Sequence, residues 1–181
     1  MKIVLINRTR INNDTLLQVL EAARQSLKLE FHYNACVIVS EGHKPFAGGH
    51  ARPWDIHTYR DLNGKVDILG MFWGKFFITV PRPDKWAGKF YTPTDCAVSF
   101  FQTAQHEWGH IADYQKEKYY GINLQWSRYV SHLGKRRPPH RLRPEEMRVK
   151  AYLEAARPYE EYMEVIEKLA KEIEIKYELK N

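Results

Sequence analysis

Apolar and polar positions along this chain follow two periods in turn, and the switches between them mark out the elements. Lys2 to Ile6 and Ala35 to Ser40 are short, nearly continuous apolar runs, the pattern of buried strands. Between them Leu16, Leu17, Leu20, Ala23 and Leu27 recur at helical spacing, which predicts a helix from an Asp14 cap to about Leu29. Glycines and prolines break up the stretch from Glu41 to Arg60, which reads as loop. Val66 to Phe72 and Lys75 to Val80, separated by Trp73-Gly74, predict a hairpin that ends at Pro81 and Pro83. A long helical pattern follows from Cys96 to about Lys118, with Thr94 or Asp95 as its cap. Tyr119 to Lys135 reads as a short helix and loop. Pro144 opens another helix, Pro158 interrupts it, and a last helix runs to about Tyr177. Strands come first and helices later, so an α+β domain is expected.

Composition narrows this picture. With 181 residues, 44% of them apolar and 13% aromatic, the chain fits one folded domain over 1–181. An N-terminal α/β part (1–91) and a helical part (92–181) are the expected halves. No apolar run approaches the roughly 18–20 residues of a membrane span, and the first apolar run is too short for an export signal. No membrane association is expected, and a cytoplasmic location is. The two cysteines, Cys36 and Cys96, make neither a disulfide framework nor a thiolate zinc site. Cys96 stands near a helix start, where a thiol pKa can fall, so it enters as a candidate nucleophile.

One helix carries the sharpest chemistry. His106-Glu107-Trp108-Gly109-His110 puts two imidazoles four residues apart, on one helical face. Two neutral imidazoles suit Zn²⁺, and the intervening Glu107 lies where it can take a proton from a metal-bound water. The metal lowers that water's pKa to about 7 and polarises a substrate carbonyl. Trp108 is expected to pack the helix on the core. Gly109 costs the helix about 1 kcal/mol relative to Ala, and its smallness allows close packing beneath the metal.

This motif resembles the shared signature of the zincin metallopeptidases. The resemblance implies a zincin-like α+β fold, in which a small mixed sheet with an edge strand packs on the active-site helix. It implies a zinc-dependent hydrolase of peptide bonds with Glu107 as general base, and a peptide or protein as substrate. The edge strand would pair with the extended substrate. Phe76 to Val80, directly before the motif helix, is the candidate for it.

His106 and His110 leave one protein ligand to find. The stretch Arg143 to Leu153 looks like the glutamate helix of compact gluzincins, which makes Glu146 the implied third ligand, with Val149 and Tyr152 on its face. Larger gluzincins carry an aspartate four residues after that glutamate, where this chain has Lys150. Glu145, His132 and His140 stay open as alternatives. Asp113 does too, although it lies about 10 Å along the axis from His106 and suits a supporting role better. For the developing oxyanion, His132 is the candidate donor, ahead of Tyr114, Tyr119, Tyr120 and Tyr129. His43, His50 and His57 match no ligand spacing for a second metal.

The net charge is +6, and Lys135 to Arg143 is its densest block. That block could attract an acidic partner or nucleic acid. A regulatory or nucleic-acid-binding protein with a structural metal or none is therefore the competing reading, alongside a zinc hydrolase of a non-peptide amide.

Overall fold

The computed structural model of the chain describes residues 1–55, 58–60, 66–68, 73–122 and 138–177. Its main sheet has four strands, β1 (Ile3–Arg8), β2 (Ala35–Glu41), β3 (Gly49–Asp55) and β6 (Trp73–Val80), in the order β1-β2-β6-β3. β1, β2 and β6 run parallel, and β3 runs antiparallel to β6. The short pairs β4 (Thr58–Arg60) with β5 (Val66–Ile68) and β7 (Asp84–Trp86) with β8 (Lys89–Tyr91) stand outside it. Four α-helices complete the described architecture: α1 (Asn13–Ser26), α2 (Pro93–Tyr120), α3 (Pro144–Ala155) and α4 (Met163–Lys176). It is an α+β arrangement with a small mixed sheet. No described helix is long and apolar enough to cross a membrane.

Two expectations about the sheet are overturned. Phe76 to Val80 belongs to β6, which lies between β2 and β3 and is therefore internal. The edge next to it is formed by β3, inside the stretch read as loop. Glycines and a proline obscured it, yet an edge strand tolerates both, because one of its sides has no ladder to complete. Among the described residues the expected hairpin is not formed: Val66–Ile68 pairs with Thr58–Arg60, while Trp73–Val80 takes its partners from β2 and β3.

Burial explains the layering. Ala35, Val37 and Val39 of β2 and Phe76, Ile78 and Val80 of β6 point to one face and form the main core with α1, α2 and α4. Cys36 and Ile38 face the other way against Ile6 and Phe77, so β2 is apolar on both sides, as an inner parallel strand must be. Trp108 is fully buried, with edge-on contacts to Phe31 and Phe76 and its indole N–H donating to the Leu20 carbonyl oxygen at 3.0 Å. It anchors α2 on the sheet, as expected of it.

Both long-helix starts differ slightly from expectation. Asn12, not Asp14, caps α1, accepting the Asp14 backbone N–H. The helix closes early because Lys28 adopts a left-handed φ of 54°. Thr92 caps α2 through a reciprocal pair, its hydroxyl accepting the Asp95 N–H while the Asp95 carboxylate accepts the Thr92 N–H. Pro93 fills the first helical turn, where its missing N–H costs nothing. At the far end Gly121 takes φ 65°, a left-handed cap that suits glycine.

Candidate metal centre

α2 presents His106, Glu107 and His110 toward the gap between β3 and α3. Two close approaches bring the walls together. A Cβ on Gly109 would stand 3.0 Å from Val149, so the bare glycine lets α3 lie directly on the motif helix. A Cβ on Gly49 of β3 would stand 2.7 Å from Glu107 Oε1, so the edge strand runs against the motif glutamate only because it has no side chain there. The result is a cleft of about 510 Å³ whose lining includes Gly49, His106, Glu107, His110, His140 and Glu146.

Three donor atoms converge in it. His106 Nε2 and His110 Nε2 are 3.2 Å apart, and Glu146 Oε2 is 3.4 Å from each. Tetrahedral ligands about 2.0–2.1 Å from zinc stand about 3.3–3.4 Å from one another, so the triangle has the size that such an ion requires. Hydrogen bonding alone satisfies it poorly, since a neutral imidazole has one N–H and each nitrogen here faces two neighbours. Among the described residues this is the one cluster of histidine, cysteine and acidic side chains close enough to hold a metal ion.

The titration tendencies follow from this crowding. Burial pulls the His106 pKa down, but hydrogen bonding to Glu146 and the charges of Glu107 and Glu146 outweigh it, and the pKa is raised. Burial pushes Glu146 up, but its hydrogen bonds to His106 and His110 hold it well below the usual carboxylate range. Glu107 behaves differently. It is 4% exposed, its Oε2 is buried without a hydrogen-bond partner among the described residues, and burial raises its pKa to about 7 against the pull of His106 and His110.

The alternative ligands find other places. Asp113, fully buried, accepts from Arg148 Nε at 2.8 Å and from the Tyr152 hydroxyl at 2.7 Å, which ties α2 to α3. It supports the helix that carries Glu146 rather than reaching the histidines. Replacing Asp113 with Ala removes the acceptor of both the Arg148 and the Tyr152 bonds and is expected to destabilise the fold by about 3 kcal/mol, measured by denaturant unfolding; an unchanged midpoint would remove this clamp from the account. Glu145 is 3% exposed and lines the cleft beside Glu146, but it is not part of the triangle. His140 Nε2 meets the other oxygen of Glu146, Oε1, at 3.0 Å. His110 Nδ1 is buried with no partner among the described residues.

His132, Tyr129 and His57 lie outside the described residues, as do Lys135, Arg136 and Arg137 of the basic block. The rest of that block, Pro138 to Arg143, is described, and His140 and Arg143 line the cleft. Among the described residues His43 and His50 join no metal-binding group; the His50 ring stacks on Phe77. Tyr119 and Tyr120 are exposed and stack around His32, away from the triangle. Tyr114 does line the cleft, with its ring parallel to His110 and its hydroxyl donating to the Ala51 carbonyl oxygen at 3.4 Å. Its place four residues after His110 was a usable helical signal.

Of the two readings of Cys96, a small buried apolar residue and a nucleophile, the structure bears out the first. Cys96 is fully buried, and burial, with Asp95 beside it, pushes its thiol up to about 12. Any lowering at the helix start is outweighed by the loss of water around the thiolate. Cys36 is pushed up to about 11 for the same first reason.

No protein-family profile, curated protein or solved structure matches this chain.

Proposed function

We propose that the protein is a zinc-dependent hydrolase of the zincin kind, with peptide bonds as its substrate. The observation that carries this reading is the triangle of His106 Nε2, His110 Nε2 and Glu146 Oε2, whose 3.2–3.4 Å edges match tetrahedral zinc. Two imidazoles and one carboxylate form a donor set suited to a catalytic ion, because a fourth position is left for water. Zinc bound there supplies a water of lowered pKa and polarisation of a substrate carbonyl.

The chain's own residues supply the rest. Glu107 stands in the same cleft, between the two histidines in sequence but outside the triangle. A carboxylate placed there can take a proton from a metal-bound water and return it to a leaving amine. Its buried Oε2 offers a lone pair that no group among the described residues occupies. β3 borders the cleft from Gly49 to Pro53, and an extended peptide laid along that edge would gain backbone hydrogen bonds. Gly49 keeps this strand close to Glu107, which would bring a scissile bond toward the proton carrier.

The test is metal analysis of the purified protein together with cleavage of a mixed-sequence peptide library. Near-stoichiometric zinc, and cleavage that stops with chelator and returns with zinc, are expected. A folded protein that binds no zinc under saturating conditions would overturn the proposal.

A further inference from the structure

Glu146 divides its two oxygens. Oε2 faces the two motif histidines, while Oε1 faces His140 at 3.0 Å. The surroundings of the pair are unequal: the His140 side chain is 67% exposed at the rim of the cleft, whereas that of Glu146 is 11% exposed. A largely dehydrated carboxylate oxygen has few other donors to choose from, so its one imidazole partner counts for more than an exposed contact usually does.

His140 is held in place by its own backbone. It begins a single 3-10 turn, His140–Leu142, that leads into α3. The Leu142 N–H donates to the Pro139 carbonyl oxygen at 2.9 Å and the Arg143 N–H to the His140 carbonyl oxygen at 3.1 Å. Arg143 Nε donates to the Pro138 carbonyl oxygen at 3.2 Å, closing the turn from its other side. Pro144 then starts α3, which carries Glu146. The imidazole and the carboxylate it meets are therefore set by one short, internally bonded segment. His140 is not a member of the donor cluster itself.

We propose that His140 is a positioning residue of the metal centre, its imidazole holding Oε1 of Glu146 through their 3.0 Å contact so that the carboxylate offers a metal one oxygen rather than two. This rests on the metal centre proposed above. With His140 in place, the second oxygen is kept out of the coordination shell and room remains for water. Without it, Oε1 is free to turn inward and occupy that room. A hydrogen-bonded partner on a ligand carboxylate also fixes the orientation in which the ligand waits for its ion, and removing such a partner typically costs 10–100-fold in metal affinity.

The experiment compares wild type, His140→Ala and His140→Gln. Zinc affinity is measured by competition with a chromophoric chelator, the coordination of substituted Co²⁺ by visible absorption, and peptide cleavage by kcat and KM. His140→Ala is expected to keep a metal site with 10–100-fold weaker zinc affinity, a Co²⁺ spectrum moved toward higher coordination, and a lower kcat at little-changed KM. His140→Gln, whose amide can donate to the same oxygen, is expected to recover most of the affinity and the spectrum. An Ala variant with wild-type affinity and spectrum overturns the inference. So does one that loses metal as completely as a ligand replacement, which would make His140 a ligand. The affinity and the spectrum report on His140 whether or not any peptide is cleaved, so failure of the peptidase reading alone is seen separately. A wild-type protein that takes up neither ion overturns both.

Discussion

Glu107→Gln is expected to lower peptide cleavage by about 10²–10⁴-fold while the protein keeps its zinc. The amide has nearly the same shape as the carboxylate but cannot accept and return a proton. Glu107 lies outside the donor triangle, so its replacement leaves the three ligand atoms in place. The measurement is kcat on a cleaved peptide beside the zinc content of the same preparation. Full activity in the variant would remove Glu107 from the chemistry.

The same substitution makes a second, opposite prediction for the metal-free protein. Glu107 has an ordinary pKa of 4.5 and is raised by burial to about 7 in the fold. Below pH 4.5 it is protonated whether the chain is folded or not, and it carries no differential cost. Between pH 4.5 and 7 the folded protein retains a proton that the unfolded chain has released, so stability falls across that window, and above 7 the buried charge is held and the loss is complete. A shift of that size corresponds to about 3 kcal/mol of stability lost by pH 8.5. Gln has no such titration. Denaturant unfolding in the presence of chelator is thus expected to find the Gln variant about 3 kcal/mol more stable at pH 8.5, with the difference vanishing near pH 4. An activity loss paired with a stability gain is the mark of a group retained for chemistry at a cost to the fold. Equal stabilities at both pH values would mean that burial is not perturbing this carboxyl.

His110→Ala is expected to abolish zinc binding outright. Its Nε2 forms two edges of the triangle, at 3.2 Å to His106 and 3.4 Å to Glu146, and Ala leaves only one imidazole and one carboxylate. The loss should exceed the 10–100-fold that changing a supporting group produces. Thermal unfolding gives a second readout. An ion at 1,000 times its Kd stabilises the folded state by about 4 kcal/mol, so the wild-type Tm should rise with zinc and fall with chelator. The variant's Tm should respond to neither. A zinc-dependent Tm that survives in His110→Ala would place the ion elsewhere.

Much of the site was written in local sequence. His106, Glu107 and His110 lie toward one side of a helix because of their spacing alone, and the core run through Phe100, Ala104, Trp108 and Ile111 sets that helix against the sheet, although its cap is Thr92 rather than Thr94 or Asp95. Glu146 was reached by resemblance of its helix to another kind of protein, and Glu145 could not be set aside from spacing. The choice needed the placement of α3 on α2, which depends on Gly109 lying under Val149 and on Asp113 holding Arg148 and Tyr152. The edge strand was misplaced because strand pairing is not local. Phe76 to Val80 has the apolar content of either an inner or a one-sided strand, and only its two neighbours show that it is inner.

The sequence by itself determined an α+β chain whose one long, well-capped helix aims two imidazoles and a carboxyl toward the same side, because helical periodicity is a property of a few adjacent residues. It also determined that any metal here depends on histidine and carboxylate, since two cysteines far apart supply no thiolate set. Tertiary structure alone decided which distant residues complete the centre. It set Glu146 rather than Glu145 against the histidines, gave Glu146 a second contact in His140, and brought β3 rather than β6 to the cleft. It also buried Cys96 beyond use as a nucleophile. Each of those outcomes turns on contacts between segments tens of residues apart, whose geometry is fixed by packing, by the absence of a side chain at Gly49 and Gly109, and by the loss of water around the groups enclosed.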